Sequence, residues 1–395
     1  MVVASSMLMV SVGILNGMMF DLVASATDEY TSHIQITSAG YPDIRDLYQS
    51  IDQYQPIVDR VREVPEVAAA SARLRSFGLL SFGNSTQAVE MLGIEPEQEQ
   101  KVTTLGQHLI QGKFVSLPGE VVLGESLARK LKAGVGSQLV YVTSAADGSI
   151  GNDLVTVAGI FKTGSSNLDG ALALVSLTWL EDVLAYPGHI HEIAIRVKKP
   201  DRAPEVAGKI TSIIHAPSSF VNGPAPAPVL LVRPWQEILP DMKQVLDFSD
   251  INILVILFIL YMATGLGIIN SFFMIAYERT KEFGLMLSLG MTPREVRWLM
   301  VTEATLMGLI SMVLGGAIGL GLVTWFHFHG IDLSAWITPV SYLGATILPV
   351  LHTEFNWQGI VYPLVFLVFT SAGSAYIPAW RASRLDPVQA LHVAR

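Results

Sequence analysis

A short charged segment, residues 278–297, lies between two long apolar stretches of the chain. It contains four Lys/Arg residues, whereas residues 298–380 contain none. Apolar stretches of about 20 residues are long enough to cross the hydrocarbon core of a bilayer as helices. The charged segment must therefore lie at a membrane surface. Because loops that carry Lys and Arg stay on the cytoplasmic side, we expect this segment, a helical hairpin, to lie inside the cell.

The composition indicates a protein that is partly membrane-embedded and partly water-soluble. Of the 395 residues, 51% are hydrophobic and 15% are charged. We predict an α-helical membrane domain with four transmembrane helices, plus an α+β extracytoplasmic domain inserted between helices 1 and 2. The predicted spans lie within residues 1–24 and near 251–277, 299–326 and 359–377.

The predicted domains follow from the positions of the spans and of the basic residues. Residues 25–248 are expected to form the extracytoplasmic domain, and residues 249–395 the remainder of the membrane domain with its loops and tail. The loop 327–358 has no Lys or Arg and is expected outside the cell, whereas the tail 381–395 carries three arginines and is expected inside. This pattern predicts a multi-pass membrane protein whose large domain lies outside the cytoplasm.

The charge of the soluble part excludes one class of partner. Residues 25–250 hold 18 Lys/Arg and 26 Asp/Glu, a net charge of −8. Binding to nucleic acid would require a basic face, so we expect no nucleic-acid partner. The chain has no cysteine, so no disulfide holds this domain together.

The amino terminus allows more than one interpretation. Residues 1–20 are apolar but have no basic flank, and Ala24-Ser25-Ala26 resembles the small-residue site at which signal peptides are cleaved. We favour a retained first span, with a cleaved signal peptide as the alternative. A true start upstream of residue 1 also remains open.

Hydrophobic periodicity predicts the elements of the soluble domain. The Pro-rich stretch 216–228 is interpreted as a stiff surface loop, with a strut that transmits motion as the alternative. Predicted helices cover 43–64, 125–132, 176–184 and 202–215, and predicted strands cover 88–92, 120–123, 138–142, 154–160 and 192–197.

The sequence contains none of the common catalytic motifs. It has no Walker A pattern, no His-Glu-x-x-His, no Gly-x-Ser-x-Gly and no cysteine nucleophile. His327 and His329 have no third metal ligand in view and are interpreted as interfacial side chains. The glycines between Gly315 and Gly321 are interpreted as a face for close helix packing. We therefore expect a non-catalytic membrane subunit without a metal or cofactor of its own.

Several motifs in order resemble the FtsX-like permease family, which includes MacB-type exporters and lipoprotein-releasing LolC/LolE-type permeases. The long loop between spans 3 and 4 is nearer to the lipoprotein-releasing type, while the basic helix that usually precedes span 1 and a fused ATPase are both missing. The motifs are Arg279-Thr280-Lys281-Glu282-Phe283-Gly284, Leu289-Gly290, Arg294–Arg297, Glu303, the tail Pro378–Leu391, and Val122–Ala128 and Val157–Gly164 in the soluble domain.

The resemblance implies a protein of the bacterial inner (cytoplasmic) membrane, with residues 25–248 as the periplasmic core domain and residues 249–395 as the permease domain. It also implies that two permease subunits pair, as a homodimer or a paralogous heterodimer, and that each docks a separate ABC ATPase subunit. ATP and Mg would bind on that partner. Apolar side chains of the hairpin would fill a groove of the ATPase inside a charged rim, although a merely solvated turn is the alternative. The expected coupling residues are Glu278, Arg279, Lys281, Glu282, Phe283, Gly284, Leu287, Leu289, Gly290 and Arg294, with Leu285 and Met286 among the apolar set.

Glu303 is a charge inside a predicted span. A carboxylate there is costly unless it is paired, so we expect it to contact Arg279 or Arg297.

The cargo is the least constrained feature. By resemblance, the favoured function is extraction of lipoproteins or similar lipid-linked cargo from the inner membrane. Apolar residues of the external loop, Trp336, Ile337, Tyr342 and Leu343, would face that lipid, or would simply lie on the membrane. The alternatives are MacB-like efflux of peptides or drugs and an FtsX-like signalling role that activates a cell-wall hydrolase.

Overall fold

The computed structural model describes residues 1–215, 229–336, 340–342, 345–347, 350–355 and 357–384. The chain divides into two compact units. Unit A comprises Leu22–Gln244 with Pro339–Leu348, and unit B comprises Met1–Asp21, Val245–Thr338 and Pro349–Arg395. The Pro-rich stretch 216–228, Ile337, Leu343 and the tail after Arg384 lie outside the described residues.

Helices account for nearly all of the described part of unit B and for the outer layer of unit A. A short π-helix, Thr27–Thr31, follows the first helix, and 3-10 turns cover Leu105–His108 and Pro200–Arg202. The α-helices are α1 Val2–Ala26, α2 Tyr41–Ile44, α3 Gln55–Arg62, α4 Pro96–Val102, α5 Glu125–Leu131, α6 Ser166–Ala171, α7 Leu177–Val183, α8 Ala203–Ile214, α9 Trp235–Ile238, α10 Pro240–Glu278, α11 Thr280–Ser288, α12 Pro293–His329 and α13 Trp357–Ala382.

The described chain has sixteen strands, and all except β13 and β16 belong to unit A. They are β1 Ile34–Ser38, β2 Ile51–Asp52, β3 Val67–Phe82, β4 Ser85–Ile94, β5 Leu109–Gly112, β6 Glu120–Gly124, β7 Gln138–Ser144, β8 Ile150–Phe161, β9 Leu172–Ser176, β10 His189–Ile190, β11 Glu192–Val197, β12 Leu230–Pro234, β13 Ile331–Asp332, β14 Val340–Tyr342, β15 Ala345–Ile347 and β16 Val350–Leu351.

Unit A is built on one mixed sheet of ten strands. The strand order is β12-β1-β11-β3-β4-β9-β6-β8-β5, and β7 pairs with both β3 and β8. β4 pairs with β9 and β6 with β8 in parallel, and the other neighbours are antiparallel. The first and last strands, β1 and β12, are neighbours. The chain therefore enters and leaves this sheet at the same edge.

The apolar core of unit A forms where strands of alternating or continuous apolar residues face the short helices. Leu92 and Ile94 of β4 pack with Val122 of β6, Phe161 of β8 and Leu174 of β9, and all five side chains are buried. Each such side chain contributes about 1.5–3 kcal/mol when it leaves water. The predicted strands 88–92, 120–123, 138–142, 154–160 and 192–197 all lie within observed strands, and the helices predicted at 125–132, 176–184 and 202–215 are confirmed.

The predicted helix over 43–64 is wrong for most of its length. The described chain forms only α2 and, after a break, α3 over Gln55–Arg62. Arg45 and Gln53 have positive φ angles, which interrupt a helix. Ile51, which fitted the helical period, pairs instead with Ile190 in a two-stranded sheet. Strand pairing with a distant segment has overridden the local pattern.

A buried ion network occupies the polar face of the sheet. Arg73 has no exposed side-chain surface, and it donates to Glu99 Oε1 at 2.6 Å and to Glu192 Oε1 at 2.8 Å. Arg75 donates to Glu192 Oε2 at 2.6 Å and also contacts Glu90. Burial alone raises the pKa of the Glu192 carboxyl, but Arg75 and Arg73 outweigh burial and hold this pKa below its ordinary value. The network therefore stays ionised.

His191 supports the same face of the sheet in its neutral form. Its Nδ1 accepts a hydrogen bond from the backbone N–H of Arg75 at 3.0 Å, and its Nε2 donates to the carbonyl of Leu47 at 2.9 Å. Burial is the main cause that lowers the pKa of His191 to about 4. Its ring also stacks on Tyr41 with the centroids 4.7 Å apart. His191 therefore ties the loop at Leu47 to β3 without adding a charge.

Unit B contains the long helices. The described chain has four helices that are long and apolar enough to cross a membrane, over Val2–Thr31, Pro240–Glu278, Pro293–His329 and Ile360–Ala382. The four predicted spans are thus confirmed as helices. Two of them extend beyond the apolar stretch: α10 has 39 residues and α12 has 37 residues. At 1.5 Å per residue, α10 is about 58 Å long.

Small residues bring these helices close together. A Cβ on Gly319 of α12 would lie 2.7 Å from Sδ of Met9 and 3.2 Å from Cα of Ser6, both on α1. On α13, Ser371 donates a hydrogen bond to the carbonyl of Ala304 at 2.7 Å. Both contacts are typical of membrane helices, which associate through small residues and polar bonds. The interpretation of the Gly315–Gly321 region agrees with these contacts, although Gly321 itself has open space beside it.

Removing the buried guanidinium tests the ion network. Arg73→Met would leave Glu99 and Glu192 buried with one cation fewer, so we expect a loss of about 3–5 kcal/mol in unfolding free energy. Arg202→Met removes a cation whose pair with Glu205 is about half exposed, and this control should cost no more than about 1 kcal/mol. Thermal unfolding of the full chain in detergent micelles measures both. Equal melting temperatures for the two variants would contradict the role given to Arg73.

Candidate functional site

The segment 278–297 forms a compact helical hairpin. Helix α10 ends at Glu278, α11 follows over Thr280–Ser288, and α12 begins at Pro293. Gly290, with a φ of +103°, closes α11 in the left-handed conformation that glycine adopts readily. The helical hairpin predicted for residues 278–297 is therefore present, with α11 as its short helix.

A capping box fixes the start of α12. The backbone N–H of Thr292 donates to Glu295 Oε2 at 2.7 Å, and the N–H of Glu295 donates back to the Thr292 hydroxyl at 3.4 Å. Pro293 occupies the first turn of the helix, where its missing N–H costs nothing. The turn between α11 and α12 is thus held by specific bonds rather than left as a free loop.

Phe283 is the centre of a small apolar core at this end of unit B. Its side chain is 1% exposed and packs with Ala276 of α10, with Val296 and Met300 of α12, and with Ala379 and Ala382 of α13. Met286 and Leu287 pack against the edge of this cluster. The prediction that Phe283 fills a groove in a partner does not agree with this position. Phe283 instead joins α11 to the ends of three long helices.

Arg279 links the hairpin to the third span. Its Nη1 donates to Glu303 Oε2 at 2.6 Å, and its Nε donates to Glu282 Oε2 at 2.7 Å. Its guanidinium also lies over the Phe283 ring, 5.3 Å from the centroid. Of the two partners expected for Glu303, the structure selects Arg279, while Arg297 bonds to the carbonyl of Pro293. The pair lowers the cost of a carboxylate inside an apolar helix.

The remaining hairpin residues form an exposed surface. Leu285 is 51% exposed and Leu289 is 79% exposed. Five further residues are exposed and charged or small: Glu278, Lys281, Glu282, Gly290 and Arg294. Gly284 is buried and Leu287 is half-buried, so neither belongs to the exposed set. We name this set, with Leu285 and Leu289, the hairpin surface. It presents two large apolar side chains among charges of both signs, the usual composition of a partner-binding patch.

The predicted lipid-facing loop is only partly described. Trp336 is 87% exposed, and Tyr342 ends strand β14, which pairs with β15. Ile337 and Leu343 lie outside the described residues. A lipid-facing role for this loop therefore remains a prediction.

His327 makes a structural contact. Its Nδ1 lies 2.7 Å from the carbonyl oxygen of Thr353. Within the described part of the chain, no group of three His, Asp or Glu side chains is arranged to hold a metal ion.

Residues distant in sequence hold the hairpin and the sheet, and most of them have no recognisable local signal. Ala379 and Ala382 were noted only as parts of a tail motif, and their packing on Phe283 had no local signal. Arg73 and Arg75 did leave a signal, since two arginines at alternate positions of an apolar strand lie on one face of the sheet. A charged pair on a buried strand indicates a buried ion network.

Comparison with known proteins identifies the family. Residues 1–213 match the family described as MacB-like periplasmic core domain, and residues 254–387 match the FtsX-like permease C-terminal family. This chain belongs to the FtsX-like permeases with a MacB-like periplasmic core domain. The permease is thus an ABC transporter permease, and its apolar helices make it a multi-pass membrane protein.

Individual relatives of this permease carry different names. It is 24% identical over 373 residues to a protein named lipoprotein-releasing system transmembrane protein LolC from Xylella fastidiosa, covering 92% of this chain and 85% of that one. It is 23% identical to a LolE protein from Haemophilus influenzae, covering 87% and 81%. It is also 22% identical to the macrolide export ATP-binding/permease protein MacB from Salmonella typhi, covering 87% of this chain but 49% of that protein.

Among solved structures, the permease is similar to the periplasmic region of MacB from Actinobacillus actinomycetemcomitans. That match has a TM-score of 0.39 and 13% identity, and it covers 57% of this chain and 96% of that one.

Truncation of Phe283 tests its place in the hairpin. Phe283→Ala removes a buried ring, which typically costs about 3–5 kcal/mol, so the amides of α11 should exchange with deuterium at least several-fold faster. Leu285→Ala truncates an exposed side chain of the same helix and should leave exchange unchanged. Hydrogen exchange with mass spectrometry on the full chain in detergent measures both. Slow exchange in the Phe283 variant would show that the cluster does not hold α11.

Proposed function

We propose that this permease transmits the ATP-driven movement of a separate ABC ATPase subunit to a large extracytoplasmic domain, and that it thereby extracts lipoproteins or similar lipid-linked cargo from the inner membrane. The observation that carries the proposal is the hairpin surface. Its exposed Leu285 lies on α11 and its exposed Leu289 directly follows that helix, whose other face is fixed to the long helices.

The docking role rests on the division of α11 into two faces. Phe283 faces inward and secures the helix, whereas Leu285 and Leu289 face outward. Leucine side chains exposed to water cost free energy unless a partner covers them. In the proposed complex they enter an apolar groove of the ATPase, and Lys281, Glu282 and Arg294 form the charged rim that sets orientation.

Transmission rests on the connection between α10, α11 and α12. The Phe283 cluster and the Arg279–Glu303 pair join these helices at one end. Helix α10 continues from Glu278 back to Pro240 without an interruption. In the proposed mechanism, a push on the hairpin moves α10 as one body, and the movement reaches unit A through the chain at Pro240.

The topology of the proposal follows from the basic residues. The hairpin surface carries Lys281 and Arg294 and is placed in the cytoplasm, which puts unit A in the periplasm. Helix α10 exposes large apolar side chains such as Leu254 and Phe258. In the proposed assembly, part of this surface contacts lipid and part contacts a second permease subunit.

The preference for lipid-linked cargo rests on the extent of similarity. The relatives named as lipoprotein-releasing transmembrane proteins align over 78–85% of their own length. The MacB relative, whose name includes an ATP-binding part, aligns over 49% of its length.

Charge on the hairpin surface tests the docking role. Leu285→Glu combined with Leu289→Glu should abolish association with the ATPase without lowering the melting temperature, because neither side chain is buried. Leu117→Glu in unit A, an apolar residue 58% exposed, is the matched control and should retain association. The measurement is the amount of Walker A-containing protein that co-purifies with the tagged permease from native membranes. Undiminished co-purification of the double variant would refute docking at this surface.

Depletion of the permease in its own host tests the cargo. If the proposal is correct, lipoproteins that normally leave the inner membrane accumulate there, and fractionation followed by mass spectrometry detects them. Chaining of cells with normal lipoprotein distribution would favour the signalling alternative. Sensitivity to macrolides or peptides with normal lipoprotein distribution would favour efflux.

A further inference from the structure

Unit A contains a cavity beside the strands at which the chain enters and leaves the sheet. The cavity holds about 320 Å³, within the range of small-ligand sites. Its walls include Glu29 and Thr31 of the π-helix, Thr37 of β1, Ser165 before α6, and Arg233 of β12. No function discussed above uses this space.

The strand register explains why the walls are polar. Gln35 of β1 lies opposite Arg233 of β12, and Thr37 lies opposite Glu192 of β11. Residues paired across strands, and those two positions apart, share one face of a sheet. This face therefore carries polar groups, while Ile34 and Ile36 point to the opposite face.

Among the residues that the structure describes, four buried polar atoms on the cavity-lining residues have no hydrogen-bond partner. They are Glu29 Oε2, Thr37 Oγ1, Ser165 Oγ and Arg233 Nε, and the side chains of Glu29, Thr37 and Ser165 are each more than nine-tenths buried. Buried polar groups are nearly always satisfied, because an unmade bond is costly. Four such atoms on one cavity indicate that a polar molecule supplies the missing bonds.

The charges on the wall define the chemistry of that molecule. Arg75 and Glu192 are already committed to each other at 2.6 Å. Among the described residues, Arg45 and Arg233 form no ion pair, and Glu29 bonds through Oε1 to Ser25. Burial raises the pKa of Glu29 to about 7, so this carboxyl is ionised above neutral pH, and a bound cation would favour the ionised form. The cavity therefore offers one unpartnered carboxyl oxygen and two guanidinium groups. A carboxylate binds an ammonium, and guanidinium groups bind phosphate oxygens through charge-assisted bonds.

We propose that this cavity binds a zwitterion that carries an ammonium and a phosphodiester, the chemistry of an ethanolamine phosphate group. The ammonium donates to Glu29 Oε2. The phosphate oxygens accept from Arg233 and, at the exposed rim, from Arg45, while the hydroxyls of Thr37 and Ser165 complete the contacts. The same chemistry occurs in a lipid headgroup and in free glycerophosphoethanolamine.

The cavity is lined by residues close in sequence to both ends of the segment Leu22–Gln244 of unit A. Ala26 and Leu239 line it, and they lie close to the points where the chain passes from unit A into the apolar segments. The site does not depend on an ATPase partner, so its test is independent of the function proposed above.

Titration of the full chain in non-ionic detergent micelles with glycerophosphoethanolamine tests the site. Calorimetry should show saturable binding, and Glu29→Gln and Arg233→Gln should each weaken it about tenfold or more, equivalent to about 1.4 kcal/mol. Arg129→Gln, which removes an exposed charge that is not on the cavity wall, should leave binding unchanged. Thr37→Val keeps the shape but removes an unpartnered hydroxyl, so it should weaken binding without lowering the melting temperature.

Two further binding measurements identify the source of the ligand and test the selectivity of the site. In nanodiscs of phosphatidylcholine, added phosphatidylethanolamine should suppress binding of the soluble ligand if the headgroup enters the site, and binding should persist if only the free solute does. Either result supports the zwitterion site. No saturable binding in micelles or nanodiscs would overturn it. Equal binding of inorganic phosphate that is insensitive to Glu29→Gln would also overturn it, since the site would then be selective only for an anion.

Discussion

The burial of Phe283 among the ends of α10, α12 and α13 is the contact on which the hairpin depends. A nine-residue helix is too short to be stable by itself in water. Its stability must come from packing, and Phe283 supplies the main apolar contact while Arg279 supplies a polar one. Because one face of α11 is fixed in this way, the opposite face can present leucines without losing its shape. One face of α11 thus packs against the long helices, and the opposite face is exposed for docking.

In unit A, the main energetic requirement is that buried charged side chains be paired. Arg73, Arg75, Glu99 and Glu192 lie on or against a sheet whose other face is apolar, and each cation meets more than one carboxylate. Replacing such a network by apolar residues is often neutral or stabilising, so the network is weak evidence for stability alone. Its directional bonds do fix the positions of β3, β11 and α4 relative to one another. The zwitterion site proposed above uses the same polar face, where the ion network ends and unpaired groups begin.

Sequence patterns were reliable where one physical effect dominated. The four spans were predictable because about 20 apolar residues in lipid must form helices to satisfy their backbone. The strands around Val122 and Val157 were predictable because both lie in buried apolar runs bounded by turn signals. The predicted helix over 43–64 failed because its apolar spacing, which included Ile51, fitted a helix by coincidence, and pairing with Ile190 was invisible locally.

The sequence by itself determined the membrane spans, the basic hairpin at 278–297 and the family motif at 279–290. These features depend on local composition and on the free energy of transfer into lipid, which is nearly additive along the chain. Only the tertiary structure decided which hairpin residues face inward, that Glu303 pairs with Arg279 rather than Arg297, and that Glu29, Thr37, Ser165 and Arg233 share one cavity. These outcomes depend on contacts between segments distant in sequence, and the residues of any one segment do not specify which distant residues will pack against it.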